Sequence, residues 1–537
     1  MRDDFLIDDN AKQRIANRTA RDAVLLRQPH QTKPELSDFF AKIPYTSSPF
    51  LLPKSISCIM MSISTSSNSK SILFLKLFEL GRYRKLERES FGSRMGFILL
   101  SAGCAIGIGN VWRFPYIAGM YGGGMFVLFY LFFLVSMGVP VMTMEFAVGR
   151  ASRKSIIKSF SQLEKPGQKW HLHGYLGMAG NYLLMMFYTT VAGWMLYYFY
   201  LMLTGQFTGK DKEQVAAMFQ GMLDSPSVLM TVMIIVVVAG ILICSFGLQK
   251  GVERITKIMM MMLLLIIVVL AVRGMTLPGG VKGLQFYLLP DVQRMWDVGI
   301  FETITAAMNQ AFFTLSLGIG AMAIFGSYID KSHTLLGESV SIAVLDTFVA
   351  FMSGLIIFPT CFAFDISPDM GPSLIFITLP NIFNHMAGGR IWGTLFFVFM
   401  TFAAFSTILA VFENIISCGM DLFGWNRKKS CLVNLAALIV LSLPCVLGYN
   451  IWSAIQPLGE GSTILDLEDF IVSNVILPIG SLIYLLFCVA KHGWGFEKYM
   501  KEANTGEGLK LPRWSRVYVT YILPVLLIFL ILKGLIG

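Results

Sequence analysis

The sequence predicts an all-α, polytopic membrane protein with about eleven transmembrane helices. Of the 537 residues, 55% are hydrophobic and only 14% are charged, and the mean hydropathy is +0.65. Soluble domains are about 45–50% apolar and about 25% charged, so an ordinary soluble, disordered or fibrous protein is excluded. Apolar runs of about 20 residues follow one another from Gly96 onward, and each can cross a hydrocarbon core of about 30 Å. Two runs are interrupted by Gly-x-Gly, which predicts broken helices.

Eleven apolar runs define the predicted spans. They lie near residues 96–120, 123–149, 175–204, 226–248, 252–273, 298–329, 336–363, 390–420, 431–448, 468–490 and 516–536.

The loops between these runs alternate in charge. Basic residues gather before the first span and in the segments 150–169, 250–257, 427–429 and 491–516, whereas the segments 205–225 and 459–469 are mixed or acidic. Cytoplasmic loops carry the excess of Lys and Arg, so the N-terminus is predicted in the cytoplasm and, after eleven spans, the C-terminus outside. The net charge of +10 is therefore a topology signal, and we expect no binding to nucleic acid.

Residues 1–90 differ in composition from the rest of the chain. They are polar and Ser-rich and end in a basic stretch, without the apolar core of a secretory signal peptide near Met1. Two interpretations remain open for this N-terminal extension. It is either a disordered cytoplasmic tail or upstream sequence translated in error, with the true start at an internal Met such as Met60, Met61 or Met95.

The two interrupted spans are the first and the sixth. The first carries Gly-Ile-Gly at 107–109, followed by Asn110, and the sixth carries Gly-Ile-Gly at 318–320, preceded by Thr314 and Ser316. A single motif of this kind would be explained by close helix packing. Two at matched positions predict a five-plus-five inverted repeat, with residues 91–290 and 291–490 as its halves and residues 491–537 as a cytoplasmic loop and span 11. The free carbonyls of such a break can bind a cation, and the following half-helix favours an anion.

Motifs of enzymes and metal sites are missing from the sequence. The eight cysteines are scattered without a CxxC or CxxH spacing, so we expect packed free thiols with no disulfide framework or metal centre. There is no His-x-x-His pattern, nucleophile elbow, phosphate loop or channel-filter repeat. We therefore expect a transporter with no organic cofactor, and neither an enzyme nor a channel.

The segment 94–150 resembles the signature first two helices of the neurotransmitter:sodium symporter family. The resemblance rests on Asn-Val-Trp-Arg-Phe-Pro at 110–115, the triple glycine at 122–124, and Ala-Phe-Phe-Thr-Leu-Ser-Leu-Gly-Ile-Gly-Ala at 311–321. It covers about residues 88–490, and the short loops are similar to those of bacterial members. It implies the leucine-transporter-like fold, a location in the plasma membrane (the inner membrane in bacteria) and sodium-coupled transport.

The resemblance implies two sodium sites made of hard oxygen ligands. The first comprises Ala105, Asn110, Thr314 and Asp346. The second comprises Gly103, Ile106, Ala403, Ser406 and Thr407. Interhelical hydrogen bonding alone would also explain the last two hydroxyls.

The resemblance also implies an amino-acid site between the broken helices. Its residues are Cys104, Gly107, Gly109, Leu184, Tyr188, Phe313, Ser316, Ile319, Thr407 and Val411. Amine transporters of the family carry an acidic residue near Cys104, and none lies between Ser101 and Asn110 here. An amino acid is therefore favoured over an amine. Because the residues expected around its side chain are mostly apolar, a neutral, hydrophobic amino acid is expected.

Gates are implied on both sides of that site. Arg113 and Asp469 would pair through water on the outside, with Phe313 and Tyr188 as the lid. Arg88 and Asp421 would close the inside near Tyr328, although Arg88 also fits a simple positive-inside anchor. Glu145 and Glu413 are further charges within spans, and such charges are costly and usually functional.

Asp346 stands where many relatives have Asn. In chloride-dependent relatives the chloride site would involve the positions of Tyr130, Gln310 and Thr314, and a fixed carboxylate there would repel chloride. Chloride-independent transport is therefore expected, although the usual chloride-replacing acid of the family lies one turn later, at Ala350. Asp346 could instead bind a proton on the return step.

The resulting hypothesis is a symporter in the lipid bilayer that imports an amino acid together with sodium by alternating access. Proton-coupled transport on the same fold, and a receptor that binds an amino acid without transport, remain the alternatives. The residues leave the oligomeric state open.

Overall fold

Helices account for most of the described protein. A computed structural model describes residues 88–364 and 373–536, which hold helices, turns and two isolated β-bridges. The predicted N-terminal extension, including Met60 and Met61, lies outside the described residues up to residue 87.

Within the described ranges, eight continuous helices are long and apolar enough to cross a bilayer, and a bent pair adds a ninth span. The eight helices are Gly124–Ser152, Pro226–Ser245, Leu248–Met275, Leu335–Ala363, Gly389–Phe423, Arg427–Leu447, Ile464–Val489 and Ser515–Leu535. The bent pair is Arg94–Ala105 with Gly109–Met120. Helix Leu172–Leu203 and the pair Ile300–Thr314 with Ala321–Gly326 occupy the third and sixth predicted positions. The polytopic helical fold class is thus confirmed, and we number these eleven segments as spans 1 to 11 in chain order.

Short helices connect several spans. They are Ile156–Leu163, Lys212–Leu223, Gly280–Leu288, Val292–Val298, Leu379–His385 and Phe496–Ala503.

Span 1 is broken where the sequence predicts it. Its first half begins after Ser93, whose side chain accepts a hydrogen bond from the Gly96 N–H at 3.0 Å, a standard N-cap. The α-helix stops at Ala105, and Ile106 takes an extended conformation with ψ 95°. The chain resumes with a π-helical turn at Gly109, and the two halves meet at 56°.

Span 6 is broken by left-handed backbone. Its first half ends at Thr314, and Ser316, Gly318 and Gly320 follow with φ of 52°, 96° and 73°. A positive φ is strained for residues with a Cβ, which explains the glycines at 318 and 320. The break predicted for span 6 is confirmed.

The spans differ in how deeply they are buried. In the most apolar stretch of span 8, 72% of the residues are buried, against 28% in span 11. Phe132, Leu265 and Val525 expose 61%, 68% and 64% of their surface, as expected for side chains that face lipid. The breaks of spans 1 and 6, at residues 105–110 and 314–320, are buried throughout, so their free backbone groups are shielded from hydrocarbon.

A buried arginine ties three segments together at the end of span 2. The fully buried Arg150 side chain pairs with Glu502 at 2.7 Å and donates to the His333 carbonyl at 2.8 Å. Backbone hydrogen bonds reinforce this contact, since Glu507 N–H donates to the Ser332 carbonyl and Thr334 N–H to the Glu507 carbonyl. The loop that follows span 6 is thereby fixed to the segment between spans 10 and 11.

We predict that Arg150→Gln destabilises the protein by about 3–5 kcal/mol, because it removes the buried partner of the mostly buried Glu502 carboxylate and leaves it paired with the exposed Lys331. The matched control is Lys331→Ala, which removes a 58% exposed lysine from the same carboxylate and should cost less than about 1 kcal/mol. Thermal unfolding of the detergent-solubilised protein measures both. Equal effects would contradict the assigned role of Arg150.

Candidate functional site

A small cavity lies where the breaks of spans 1 and 6 meet. We call it the midspan cavity, and it has a volume of about 20 Å³. Its walls are Cys104, Ala105, Gly107, Gly109, Leu184, Tyr188, Phe313, Thr314, Ser316, Thr407 and Leu477. A volume of this size suffices for about one water molecule, so a larger ligand requires these walls to move apart.

The first predicted oxygen cluster is assembled around the Asp346 carboxylate on span 7. Asn110 Nδ2 donates to Asp346 Oδ1 at 2.8 Å, and Thr314 Oγ1 lies 3.1 Å from both carboxylate oxygens. Tyr130 Oη donates to Oδ2 at 3.2 Å. Asp346, Asn110 and Thr314 are fully or almost fully buried. The broken halves of spans 1 and 6 thus both contact one buried carboxylate.

The second predicted oxygen cluster joins span 8 to the break of span 1. Ser406 Oγ lies 2.9 Å from the Ala403 carbonyl and 3.4 Å from the Ile106 carbonyl. Thr407 Oγ1 lies 3.2 Å from the Gly103 carbonyl and 3.5 Å from the Ile106 carbonyl. All five predicted residues meet here, and every potential ligand is a neutral oxygen, which is the donor type that a hard monovalent cation accepts.

The glycines at the break of span 1 provide room that a side chain would fill. A Cβ on Gly107 would collide with Tyr188 Oη and approach Thr407 Oγ1 to 2.7 Å, and a Cβ on Gly109 would lie 2.8 Å from the Phe313 ring. Tyr188 Oη accepts a hydrogen bond from the Ile108 N–H at 2.9 Å. The unwound backbone and the tyrosine hydroxyl are therefore in direct contact at the edge of the midspan cavity.

Eight of the ten predicted substrate residues line the midspan cavity, and two do not. Ile319 Cγ2 lies 2.9 Å from where a Cβ on Gly180 of span 3 would be, and the Ile319 carbonyl accepts a hydrogen bond from Asn181 at 2.8 Å. Val411 is fully buried on span 8, one turn beyond Thr407. Leu477 lines the cavity but was not predicted, because no pattern in span 10 distinguishes it from the other apolar residues.

A second, larger cavity lies beyond Phe313, and we call it the vestibule. It measures about 470 Å³, and Gly109, Tyr188 and Phe313 line both cavities. Arg113 lies 3.7 Å from Asp469 and its guanidinium covers the Phe313 ring at 4.1 Å. The predicted lid, Phe313 and Tyr188, thus lies between the two cavities, and the predicted charge pair lies on its vestibule side.

A serine hydroxyl bridges Arg113 and Asp469, and the water expected between them stays a prediction. Arg113 Nη1 donates to Ser473 Oγ at 3.3 Å, and Ser473 Oγ donates to Asp469 Oδ1 at 2.7 Å. Ser473 lies one turn after Asp469 on span 10, so helix geometry places the hydroxyl beside the carboxylate.

A charged network surrounds Arg88 at the opposite end of span 1. Arg88 Nη1 lies 3.0 Å from Asp421 Oδ2, its Nε donates to Ser327 Oγ at 3.0 Å, and its guanidinium covers the Tyr328 ring at 4.7 Å. Burial alone would lower the pKa of Arg88, but Tyr328 and Asp421 raise it above its ordinary value. The predicted inner pair and Tyr328 thus lie together, and Arg88 carries its positive charge there.

Arg427 belongs to the same network and was not predicted as a site residue. It pairs with the fully buried Glu413 at 2.7 Å and with Glu89 at 3.0 Å. Tyr328 Oη donates to Glu413 Oε1 at 2.7 Å. The sequence places Arg427 among the basic residues of the loop before the predicted span 9. The fold brings its side chain to the buried Glu413 carboxylate.

Comparison with known proteins decides the family. The profile of the family described as "SNF: Sodium:neurotransmitter symporter family" matches residues 88–213 and 211–537. The chain belongs to the sodium:neurotransmitter symporter family.

Similar proteins come from bacteria and animals. The uncharacterized sodium-dependent transporter YhdH of Bacillus subtilis is 32% identical, over 75% of this chain and 87% of its own. The sodium- and chloride-dependent GABA transporter 2 of Mus musculus is 26% identical, over 75% of this chain and 73% of its own. The crystal structure of MhsT in complex with L-phenylalanine matches this chain with a TM-score of 0.75 and 35% sequence identity. The match covers 83% of this chain and 100% of the MhsT chain.

Family membership establishes the general activity. The protein is a sodium-dependent symporter and a multi-pass membrane transporter, rather than an enzyme. The prediction made from the resemblance of residues 94–150 is confirmed at this level.

We predict that Gly318→Ala abolishes transport and lowers the thermal stability, because the new Cβ would collide with the Leu477 carbonyl and lie 2.9 Å from Ser481 N. The matched control is Gly424→Ala. Gly424 also has a positive φ, 65°, but its Cβ would meet nothing within 4 Å, so only the strain of about 1–2 kcal/mol applies. Uptake assays and thermal unfolding in detergent compare the two variants. Similar stability and uptake in both would contradict a tight contact at the break of span 6.

Proposed function

We propose that the protein imports a neutral, predominantly apolar amino acid together with two sodium ions, without a requirement for chloride. Transport proceeds by alternating access across the plasma membrane, which in a bacterium is the inner membrane. The N-terminus lies in the cytoplasm and the C-terminus outside.

One observation carries this proposal: both oxygen clusters adjoin the same unwound segment of span 1. Asn110, just after the break, contacts Asp346 at 2.8 Å, and the Ile106 carbonyl, within it, faces Ser406 and Thr407. Between these contacts the segment borders the midspan cavity through Gly107 and Gly109. A cation bound in either cluster would therefore fix the backbone against which a substrate binds.

The cavity walls support an amino acid as the substrate. The Tyr188 hydroxyl accepts the Ile108 N–H and borders the gap beside Gly107, where its O–H can donate a hydrogen bond to a carboxylate. Leu184, Phe313 and Leu477 provide apolar walls, and residues 101–110 contain no acid that would pair with an amine. The L-phenylalanine in the MhsT structure agrees with this choice.

The buried carboxylate of Asp346 supports chloride independence. Tyr130 and Thr314 occupy two positions of the expected chloride site, and both donate hydrogen bonds to the Asp346 carboxylate. Their hydroxyls therefore already stabilise a fixed negative charge. An added anion would meet electrostatic repulsion at this depth.

The two charged networks support the gating scheme. The Arg113–Asp469 pair closes the vestibule side and the Arg88–Asp421 pair closes the other end. A ligand can shift the balance between open states only by binding one of them better. Each sodium ion that moves down a membrane potential of 100 mV supplies about 2.3 kcal/mol, which drives accumulation of the amino acid.

Transport into vesicles tests the function. Purified protein in liposomes with an inward sodium gradient should accumulate leucine or phenylalanine, and choline in place of sodium should abolish the uptake. Replacing chloride by gluconate at fixed sodium should change nothing. Accumulation driven by a proton gradient without sodium, or binding without accumulation, would overturn the proposal.

We predict that Thr407→Ala raises the sodium concentration for half-maximal uptake at least 10-fold, because it removes one oxygen of the second cluster, and a loss of about 1.4 kcal/mol is tenfold in affinity. Thr401→Ala on the same span is the control, since the Thr401 hydroxyl donates a hydrogen bond to the Phe397 carbonyl one turn earlier. An unchanged sodium dependence in Thr407→Ala would show that this cluster does not bind sodium.

A further inference from the structure

Span 10 supplies a wall of the midspan cavity. Leu477 is 3% exposed and borders the cavity together with Leu184, Phe313 and Ser316. Among the described residues that line this cavity, Leu477 is the one from span 10, which also carries Asp469 and Ser473.

Backbone packing between spans 6 and 10 fixes the position of Leu477. A Cβ on Gly318 would collide with the Leu477 carbonyl, and a Cβ on Gly480 would collide with the Gly318 carbonyl. Two backbones that approach this closely leave no space for a side chain between them. Leu477 therefore cannot retreat from the break of span 6 without a shift of the whole helix.

The neighbouring apolar side chains point elsewhere. Ile476 and Ile319 both pack on span 3, where a Cβ on Gly180 would lie 2.8 Å from Ile476 Cγ2 and 2.9 Å from Ile319 Cγ2. The Ile319 side chain thus points away from the cavity and toward span 3. Leu477 therefore provides the apolar surface at this part of the cavity.

We propose that Leu477 is a specificity-determining residue, which sets the largest amino-acid side chain that the site accepts. This inference rests on the proposed function, because it assumes that the amino acid binds in the midspan cavity. An apolar wall discriminates by size, since a change of one methylene in a hydrophobic pocket alters selectivity by about 10–200-fold. A smaller residue at 477 enlarges the cavity beside Leu184 and Phe313, and a larger residue fills it.

The test is uptake of radiolabelled leucine by reconstituted protein, in competition with alanine, leucine, phenylalanine and tryptophan. Leu477→Ala should shift the ratio of inhibition constants at least 10-fold toward phenylalanine and tryptophan. Leu477→Phe should shift it at least 10-fold toward alanine. The sodium dependence should stay as in the wild type, because Leu477 contributes no oxygen side chain to either cluster.

The matched control is Leu485→Ala, which truncates a fully buried leucine two turns later on span 10. It should change stability without changing the order of the competitors. If Leu477→Ala does not fold, Leu477→Val and Leu477→Phe provide the test. Leu477→Val should shift selectivity toward larger amino acids, and Leu477→Phe should shift it toward smaller ones. Unaltered selectivity in the folded variants, or an equal shift in Leu485→Ala, would overturn the role of Leu477. Absence of sodium-dependent uptake in the wild type would instead overturn the proposed function.

Discussion

The structure depends on how it satisfies backbone groups that two helices release in the middle of a membrane. An unpaired N–H or C=O in hydrocarbon costs several kcal/mol, so each break needs partners of its own. At span 1 the Ile108 N–H donates to Tyr188 and the Gly109 carbonyl accepts from Gln310 at 3.1 Å. At span 6 the buried Glu145 carboxylate accepts the Gly318 N–H. Tyr188, which lines the midspan cavity, therefore also stabilises the break of span 1.

These partners come from spans 2, 3 and 6, which means that neither break can form alone. Glu145 lies on span 2 and Tyr188 on span 3, so the unwound segments are held by helices that are distant in sequence. The same dependence gives the site its mechanical properties. A shift of either half-helix exchanges buried hydrogen bonds, so intermediate positions are costly and the protein favours discrete states.

The sequence was most informative where chemistry is local, and least where contacts cross the fold. Gly-x-Gly in the middle of an apolar run predicted both breaks, because the backbone conformation itself requires glycine or strain. The oxygen clusters followed from family resemblance, with Ser406 and Thr407 in register with the motif. Leu477, Ser473 and Arg427 were missed, since an apolar residue in span 10, a hydroxyl beside a gate and a loop cation carry no distinctive pattern. Ile319 was assigned to the cavity wall, because the alternation of residues along a broken segment does not reveal which side faces span 3.

The charge pairs at the two ends of the molecule differ in how deeply they are buried. The Arg113–Asp469 pair is partly exposed, with 26% and 33% of the side chains accessible. Solvent therefore screens the attraction between the two charges, and separating them costs little free energy. The Arg88 network is more deeply buried, with accessibilities of 13% and 10%, and adds the fully buried Glu413 with Arg427. Separating a buried pair leaves charges without compensation, which costs several kcal/mol. The Arg88 end therefore needs the larger compensating change. Release of the proposed sodium ion between spans 1 and 8 is a change of this kind, because it would loosen the first half of span 1, which follows Arg88 in the chain.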